Sequence, residues 1–325
     1  MSTLTQNSTI VRVGAGVGLA ALAGLAAYGL LTHTRHGRRL TRECLMRLLN
    51  SMPEPFPKSL PFAQRVQPHG PLEQLDDGLW VVRGSLPNIP IPRYMTIYRP
   101  PNSTSLLVFS MLCVDAKTLA EVRKLGTVTH MVIPCSWHTL DAAVYRNEFP
   151  NAKLIAPRAA LHQLSKKVDV EVLAAEDVFP LWNENPEAAS TTQGAGTMEC
   201  SVQLIYGKGC SAEFDECELL LALPPRTSTA ASVSETTNLI QRKPATTDSR
   251  HALIINDMFH EDLKFTRISW FLVIDHLARF RKWLHEFMAK VVVGENVDVV
   301  IVSHGQPVVG KEQIRRKMKA SLSAI

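Results

Sequence analysis

The stretch "VTHMVIPCSWHTLDAAVYRNEFPNAKLIAP", residues 128–157, decides the fold class. It runs from an apolar segment through a polar turn, then through a helical pattern ended by Pro150, into a second apolar segment. Residues 105–167 continue this alternation of strand and helix, which is typical of a layered α/β domain. The turn also contains His138 and Asp141, three residues apart, at the kind of strand end where α/β enzymes bind ligands.

Length and composition indicate an ordinary globular protein. The chain has 325 residues, of which 46% are hydrophobic and 20% charged, enough for one large domain or two small ones. The net charge of +5 is mild, and no arginine-rich stripe is interleaved with aromatic residues. This pattern predicts no nucleic-acid partner. The absence of GxSxG, P-loop and GxGxxG motifs argues against serine hydrolases, nucleotide triphosphatases and dinucleotide-binding enzymes.

The N-terminal region predicts a membrane anchor. After a short tail, residues 1–12, there are 19 uncharged residues at 13–31, just enough to span a bilayer as a helix. Arginines follow this run, whereas a cleaved secretory signal carries its charge before the apolar segment. The positive-inside rule then places the following domain in the cytosol. An anchor of moderate hydrophobicity with a basic C-terminal flank resembles those of mitochondrial outer-membrane proteins, and the endoplasmic reticulum is the alternative location. A soluble helix and a cleaved presequence are the alternatives for this segment.

The rest of the chain divides into a linker and one folded domain. Residues 32–74 predict a basic juxtamembrane helix and a proline-rich linker, and residues 75–325 the globular domain. Within the domain, residues 183–198 and 224–250 are polar and predict flexible loops. Between these loops, residues 201–223 predict a hairpin, and a long amphipathic helix is expected at 268–289.

Six cysteines, at positions 44, 113, 135, 200, 210 and 217, include no CxxC pair. A structural zinc knuckle is therefore not expected. The cysteines are expected as buried free thiols in a reducing compartment, although the last three could pair in an oxidising one. Cys135 allows a further hypothesis, because a cysteine at a helix N-terminus near His138 can act as a thiol nucleophile.

Three apolar runs end in polar residues that suit a metal site. "MVIP" precedes His138 and Asp141, "LIIND" ends at Asp257 with His260 three residues later, and "VVIVSHG" contains His304. Ligands gather at the carboxyl ends of strands, so these side chains are expected to converge. Imidazoles and carboxylates can bind zinc or iron and leave a position for a water molecule whose pKa the metal lowers.

The order of these segments resembles the metallo-β-lactamase fold. In that fold, a THxHxDH motif after a strand is followed by a single histidine, a strand-end "GD" and a final "GHG"-like turn. Here "LIINDMF" is similar to the "GD" element and "IVSHGQP" to the final turn, and "LWVV", "MTIYRP" and "SLLVFS" are similar to the opening strands. The resemblance implies a four-layer αββα sandwich over residues 75–170 and 250–320.

The sequence is more similar still to an uncharacterised family related to that fold. Its members carry a proline, one or two histidines four residues later, then a "W…YP" pattern and a strand that ends in "AP". The matching residues are Pro134, His138, Tyr145, Phe149, Pro150, Ala156 and Pro157.

The chain departs from the family pattern at the main metal motif. If "CSWHTLD" takes the place of THxHxDH with His138 as its second histidine, Ser136 replaces the first and Leu140 the aspartate. Asp141 then replaces the last histidine, and residues 171–250 contain no histidine for the middle position. A dinuclear zinc site is therefore not expected.

A mononuclear site remains, formed by His138, Asp257 and His304, with Asp141 or His260 as further candidates. Two histidines and one carboxylate suit zinc or iron. The first hypothesis is thus a membrane-anchored metal-dependent hydrolase of a small-molecule ester, thioester, lactone or phosphoester. The second is an inactive protein that binds no metal and acts as a binding or scaffolding module at a membrane. The sequence leaves the oligomeric state open.

Overall fold

The structure is a computed structural model, which describes most of the predicted globular domain. The described residues are 34, 36–37, 39–44, 55–57, 59–87, 89–182, 197–208, 216–226, 249–265, 274 and 276–323. The predicted anchor at 13–31 lies outside the described residues, as do 183–196 and 227–248 of the predicted loops. Among the described helices, none has the length and apolar character needed to cross a bilayer.

The first sheet has seven strands whose spatial order follows the chain. They are β1 (Leu72–Asp76), β2 (Leu79–Leu86), β3 (Ile89–Tyr98), β4 (Ser105–Phe109), β5 (Thr127–Val132), β6 (Lys153–Ala156) and β7 (Leu173–Ala174). The strands from β1 to β4 pair antiparallel as hairpins, and those from β4 to β7 pair parallel. Parallel neighbours need crossover connections, which the helices between these strands supply.

The second sheet has five strands in the order β12-β11-β10-β9-β8. They are β8 (Val202–Ile205), β9 (Glu218–Leu223), β10 (Arg250–Ile255), β11 (Val297–Val302) and β12 (Val308–Val309). β8 and β9 pair antiparallel, which confirms the predicted pair of strands at 201–223. β10 and β11 are parallel, so their carboxyl ends lie side by side at one edge of the sheet.

Seven α-helices accompany the sheets in the described part of the domain, and residues 36–37 and 39–44, before the domain, are also helical. The seven are α1 (Ala116–Leu125), α2 (Ala142–Glu148), α3 (Leu161–Lys167), α4 (Ala175–Val178), α5 (Met198–Ser201), α6 (Leu277–Phe287) and α7 (Lys311–Ser323). α6 continues as a π-helical segment, Met288–Gly294. His276 caps α6 by accepting from the Arg279 N–H, so the described helix begins nine residues after the predicted start at 268. Residues 266–273 lie outside the described residues.

Three buried clusters arrange these elements in four layers. The first joins one face of the seven-stranded sheet to α1, α2 and α3, and includes Leu119 and Tyr145. The second lies between the sheets, where Leu107 of β4 and Ile254 of β10 both belong to it. The third joins the outer face of the second sheet to α6 and α7 through residues such as Phe280. The layers are therefore helix, sheet, sheet and helix, and the predicted mixed α/β fold is confirmed.

The loops after β10 and β11 pack against each other without spare room. A Cβ atom at Gly305 would lie 2.5 Å from the Cα atom and 2.6 Å from the nitrogen atom of Glu261. Gly305→Ala is therefore expected to destabilise the fold by about 1–3 kcal/mol, because backbone must move. Urea unfolding measures this change, with Gly294→Ala as the control, since its Cβ atom would come no closer than 3.5 Å to Ala289. Equal effects of the two substitutions would contradict the prediction.

Candidate metal centre

The three predicted strand ends meet around one carboxylate. The Nε2 atom of His138 lies 3.3 Å from Oδ1 of Asp257, and the Nε2 atom of His304 lies 3.1 Å from the same oxygen atom. The two imidazole rings are 5.3 Å apart, centroid to centroid. All three side chains are largely buried, with exposed fractions of 10–16%. The structure thus brings together the predicted set, and its role as a set of ligands stays a prediction.

The other ring nitrogen of each histidine has its own partner. Nδ1 of His304 lies 2.7 Å from the carbonyl oxygen of Pro92, and Nδ1 of His138 lies 3.0 Å from the hydroxyl of Ser110. A carbonyl oxygen only accepts, so Nδ1 of His304 carries a proton and donates it. When the ring is protonated, Nε2 of His304 donates to Asp257. A bound metal would instead take the lone pair of Nε2 while Nδ1 keeps its proton for the Pro92 carbonyl, as in metal-ligating histidines of other proteins.

Ser110 was not predicted from the sequence. It follows β4, is fully buried and has a φ angle of +55°, which is unusual for a residue with a side chain. Its N–H donates to the Val132 carbonyl at the end of β5, which fixes the backbone there. The signal was nonetheless present, because Ser110 is a polar residue after an apolar strand, like the three residues that were predicted.

Hydrogen bonds to its backbone and to the preceding residue, Asn256, fix the position of Asp257. Its N–H donates to Oε2 of Glu216 at 2.8 Å, and the amide of Asn256 donates to the same oxygen at 3.2 Å. The hydroxyl of Ser303, next to His304, donates to the amide oxygen of Asn256 at 2.7 Å. A chain of hydrogen bonds thus joins the loops that carry Asp257 and His304.

Glu216 and Glu218 form a buried pair of acids behind this chain. Burial, with the negative charge of Asp257, raises the pKa of Glu216 to about 8. Burial also raises the pKa of Glu218 well above its usual value, and the charge of Glu216 acts in the same direction. The pair therefore adds little negative charge near Asp257 at neutral pH. Neither acid was predicted, because neither follows an apolar run.

The charges within the centre are unequal. Burial favours a raised pKa for Asp257, but attraction to His138 and His304 outweighs it and holds that pKa well below its usual value. Burial lowers the pKa of His138, which is therefore neutral at neutral pH. Burial also acts to lower the pKa of His304, but its hydrogen bond to Asp257 prevails and raises it. His138 is thus already in the protonation state that a metal ligand requires.

Cys135 lies beside the centre. Its sulfur atom and the ligand atoms of His138 and Asp257 all lie within 4.8 Å of one another, and it is the sulfur atom that the Asn256 amide contacts at 3.5 Å. Burial raises the pKa of the Cys135 thiol well above its usual value, which makes it a poor nucleophile in the metal-free protein. The geometry suits a metal ligand beside His138 and Asp257 better than the nucleophile considered from the sequence, since a bound metal deprotonates a coordinating thiol.

The two further candidates, Asp141 and His260, differ in position. Oδ2 of Asp141 lies 3.0 Å from Nη2 of the buried Arg93 and accepts from the Cys113 N–H at 3.2 Å. These contacts give Asp141 a structural role. The ring of His260 stacks on that of His304, with centroids 5.7 Å apart, and burial lowers its pKa. His260 therefore lies beside the centre as a neutral imidazole.

The fold has solved counterparts. The chain is structurally similar to metallo-β-lactamases. The DIM-1 enzyme is 10% identical, with 79% of this chain and 100% of that one covered and a TM-score of 0.48. The enzyme from Hirschia baltica is 12% identical, with 78% of this chain and 98% of that one covered and a TM-score of 0.46. FIM-1 from Pseudomonas aeruginosa, in its mono-zinc form, is 9% identical, with 80% of this chain and 97% of that one covered and a TM-score of 0.48. No protein family and no curated protein matches the sequence.

Proposed function

We propose that this chain is a membrane-anchored, metal-dependent hydrolase with a mononuclear centre formed by His138, Asp257 and His304. One observation carries the proposal: two imidazole Nε2 atoms approach a single carboxylate oxygen atom at 3.3 and 3.1 Å. Two histidines and a carboxylate fit zinc or iron(II), and Cys135 would favour zinc if it joins them. His138 and Asp257 come from different sheets, so the whole sandwich must form before the centre exists.

The side chains around the centre fit a metal ion better than they fit an ordinary buried ion pair. An ion pair of His304 and Asp257 needs one imidazole, whereas a second, neutral imidazole also faces the same oxygen atom. Each histidine has its distal nitrogen fixed by a separate partner, which orients the ring and raises its basicity. These features support a donor set prepared for a cation.

A zinc or iron ion in this centre would supply a Lewis acid that activates water for hydrolysis. The protein contributes orientation and exclusion of solvent. Ser110 and the Pro92 carbonyl hold the two rings, and Glu216 holds the backbone of Asp257. His260, neutral and stacked on His304, is placed to accept or donate a proton at the edge of the centre. The substrate class is a small-molecule ester, thioester, lactone or phosphoester.

The membrane part of the proposal rests on the sequence. Residues 13–31 are uncharged and are followed by a basic segment, which supports an anchor with the domain on the cytosolic side. The mitochondrial outer membrane and the endoplasmic reticulum are the two candidate locations. Fractionation of cells that express the tagged chain, with protease protection of the domain, tests this part separately from the chemistry.

The metal hypothesis is tested on full-length protein purified without chelator. We expect about one equivalent of zinc or iron by elemental analysis, since the donor set holds one ion. Hydrolysis of ester, thioester, lactone and phosphoester substrates should then be lost with a chelator and return when metal is added. Absence of both metal and hydrolysis, even after zinc or iron(II) is supplied, would contradict the proposal.

One observation favours the second candidate, an inactive binding module. Ser136 occupies a ligand position of the related motif, and its carbonyl oxygen instead accepts from Lys167 at 3.0 Å. The Nζ atom of Lys167 also lies 4.6 Å from the centroid of the Trp137 ring. The contacts on this side of the turn therefore stabilise the fold and do not offer a metal ligand. A protein without metal but with a stable fold would point to this function.

Ser110 is expected to matter for metal affinity. Ser110→Ala removes the partner of Nδ1 on His138 and frees the ring to turn or to change tautomer. Loss of such a partner weakens metal binding by about 10- to 100-fold. Competition with a chelating dye measures the affinity. Ser85→Ala, at a partly exposed serine of β2, is the matched control and should leave the affinity unchanged; equal affinities of both variants and the parent would refute this role.

A further inference from the structure

The positive charge of the chain is concentrated on the helices that cover the second sheet. α6 and its π-helical extension, residues 277–294, contain four basic residues and one acidic residue, and α7 contains five and one. Together they carry a formal charge of +7, whereas the whole chain carries +5. The formal charges of all other residues therefore sum to −2, so the positive charge is unevenly distributed over the protein.

The basic residues lie on the outer side of this layer. α6 buries Phe280 and Trp283 against the sheet, and α7 buries Ile314 and Met318 in the same cluster. Because both helices pack on one face of one sheet, their opposite sides point in a common direction. The basic face consists of the exposed residues Arg279, Lys282, Arg316 and Lys319.

The charge of this face is not neutralised within the described domain. Three other basic residues of α7 have acidic partners: Lys311 with Asp298, Arg315 with Glu312 and Lys317 with Asp262. The four residues of the basic face make no ion pair with any residue that the structure describes. Their cationic groups are thus available to a partner.

We propose that the basic face docks on an anionic phospholipid surface. Dispersed lysines and arginines on a broad helical face suit a layer of anionic headgroups, which attracts each nearby basic residue. No large aromatic residue is exposed in the described helices, whereas single-stranded nucleic acids are bound by stacking on aromatics. The uncharged segment at 13–31 and its basic flank point to the same partner from an independent part of the chain.

This inference goes beyond the proposed hydrolase and does not depend on a metal. Docking through the outer helical layer would orient the domain on the membrane. The candidate centre lies at strand ends between the layers, with Asp257 after β10 and His304 after β11, and not on the outer side of α6 or α7. Docking through the basic face therefore would not cover the strand ends that carry the centre.

Amine labelling of the full-length protein with excess vesicles tests the docking. The vesicles are either pure phosphatidylcholine or phosphatidylcholine with one-third phosphatidylserine, and mass spectrometry reports the acetylation rate of each lysine. We expect Lys282 and Lys319 to react roughly fivefold more slowly with the anionic vesicles. The difference should vanish near 1 M salt, where the Debye length is about 3 Å. The comparison of lipids holds whether or not residues 13–31 insert.

Lys117 and Lys124 of α1 serve as internal controls, because they are exposed on the opposite helical layer. Their rates should be equal with both lipids. The double variant Arg279→Gln/Arg316→Gln should weaken protection of Lys282 and Lys319, and Arg123→Gln/Arg158→Gln should not. Equal rates of Lys282 and Lys319 with both lipids, or equal protection of the control lysines, would overturn the proposal. If a single-stranded oligonucleotide protects Lys282 and Lys319 more strongly than anionic vesicles do, the lipid proposal is overturned and nucleic acid is the better partner.

Discussion

Replacing Asp257 with asparagine is expected to reduce bound metal from about one equivalent to less than about one-tenth, and to abolish any hydrolysis that depends on it. Asp257 is the only described carboxylate that both histidines approach, at 3.3 and 3.1 Å. Asparagine keeps the size of the side chain and removes its charge, so the two rings remain while the anionic ligand is lost. Elemental analysis of the purified variant gives the result.

Asp262→Asn is the matched control for this substitution. Asp262 lies five residues later on a neighbouring turn and pairs with Lys264 and Lys317 at the surface. Its φ angle of +62° suits asparagine, so the control removes one charge without disturbing the backbone. Near-ultraviolet circular dichroism of both variants checks folding. A folded Asp257→Asn protein with full metal content would show that the ion binds elsewhere.

The second large effect is expected for stability, at the opposite end of β10 from the centre. Arg250→Met should lower the free energy of unfolding by about 3–5 kcal/mol, because it leaves buried carboxylates without their partner. Arg250 pairs with Asp298 of β11 and with Asp76 at the end of β1, and it donates to the Pro224 carbonyl at 2.9 Å. The side chain of Asp298 is only 2% exposed. One guanidinium therefore joins the two sheets.

Urea unfolding followed by intrinsic fluorescence measures this difference, with Arg158→Met as control. Arg158 pairs with Asp177, but the two side chains are 56% and 64% exposed, and such pairs contribute less than about 1 kcal/mol. In the Arg250→Met variant, Arg226 at 3.6 Å and Lys311 at 3.5 Å still lie near Asp298 and partly offset its charge. The loss of stability is therefore expected nearer about 3 than about 5 kcal/mol. If Arg250→Met lowers the free energy of unfolding no more than Arg158→Met does, the stabilising role of Arg250 between the two sheets is contradicted.

The sequence predicted the fold class and the central residues for the same physical reason. Buried strands are continuous apolar runs, and polar residues directly after them lie at the sheet edge, where loops from different strands meet. His138, Asp257 and His304 all carry this signal, and the structure places them around one oxygen atom. Strand and helix alternation at 105–167 likewise follows from local periodicity.

The supporting residues could not be ranked from the sequence. Glu216 contacts Asp257 only because β9 lies beside β10, and a strand order in space is not a local property. Asp141 was a candidate ligand because of its spacing from His138, but Arg93 of a distant strand pairs with it. Long-range pairing of this kind decides whether an acid is structural or functional.

The central claim is that His138, Asp257 and His304 bind one metal ion, and X-ray absorption at the metal edge tests it most directly. With zinc added to the full-length protein, the account predicts nitrogen and oxygen ligands at about 2.0–2.1 Å, with the outer-shell scattering of two imidazoles. A sulfur ligand at about 2.3 Å would add Cys135 to the set. In His304→Ala the imidazole signal should fall by half or vanish with the metal. An unchanged spectrum in that variant, or no bound zinc in the parent protein, would contradict the account.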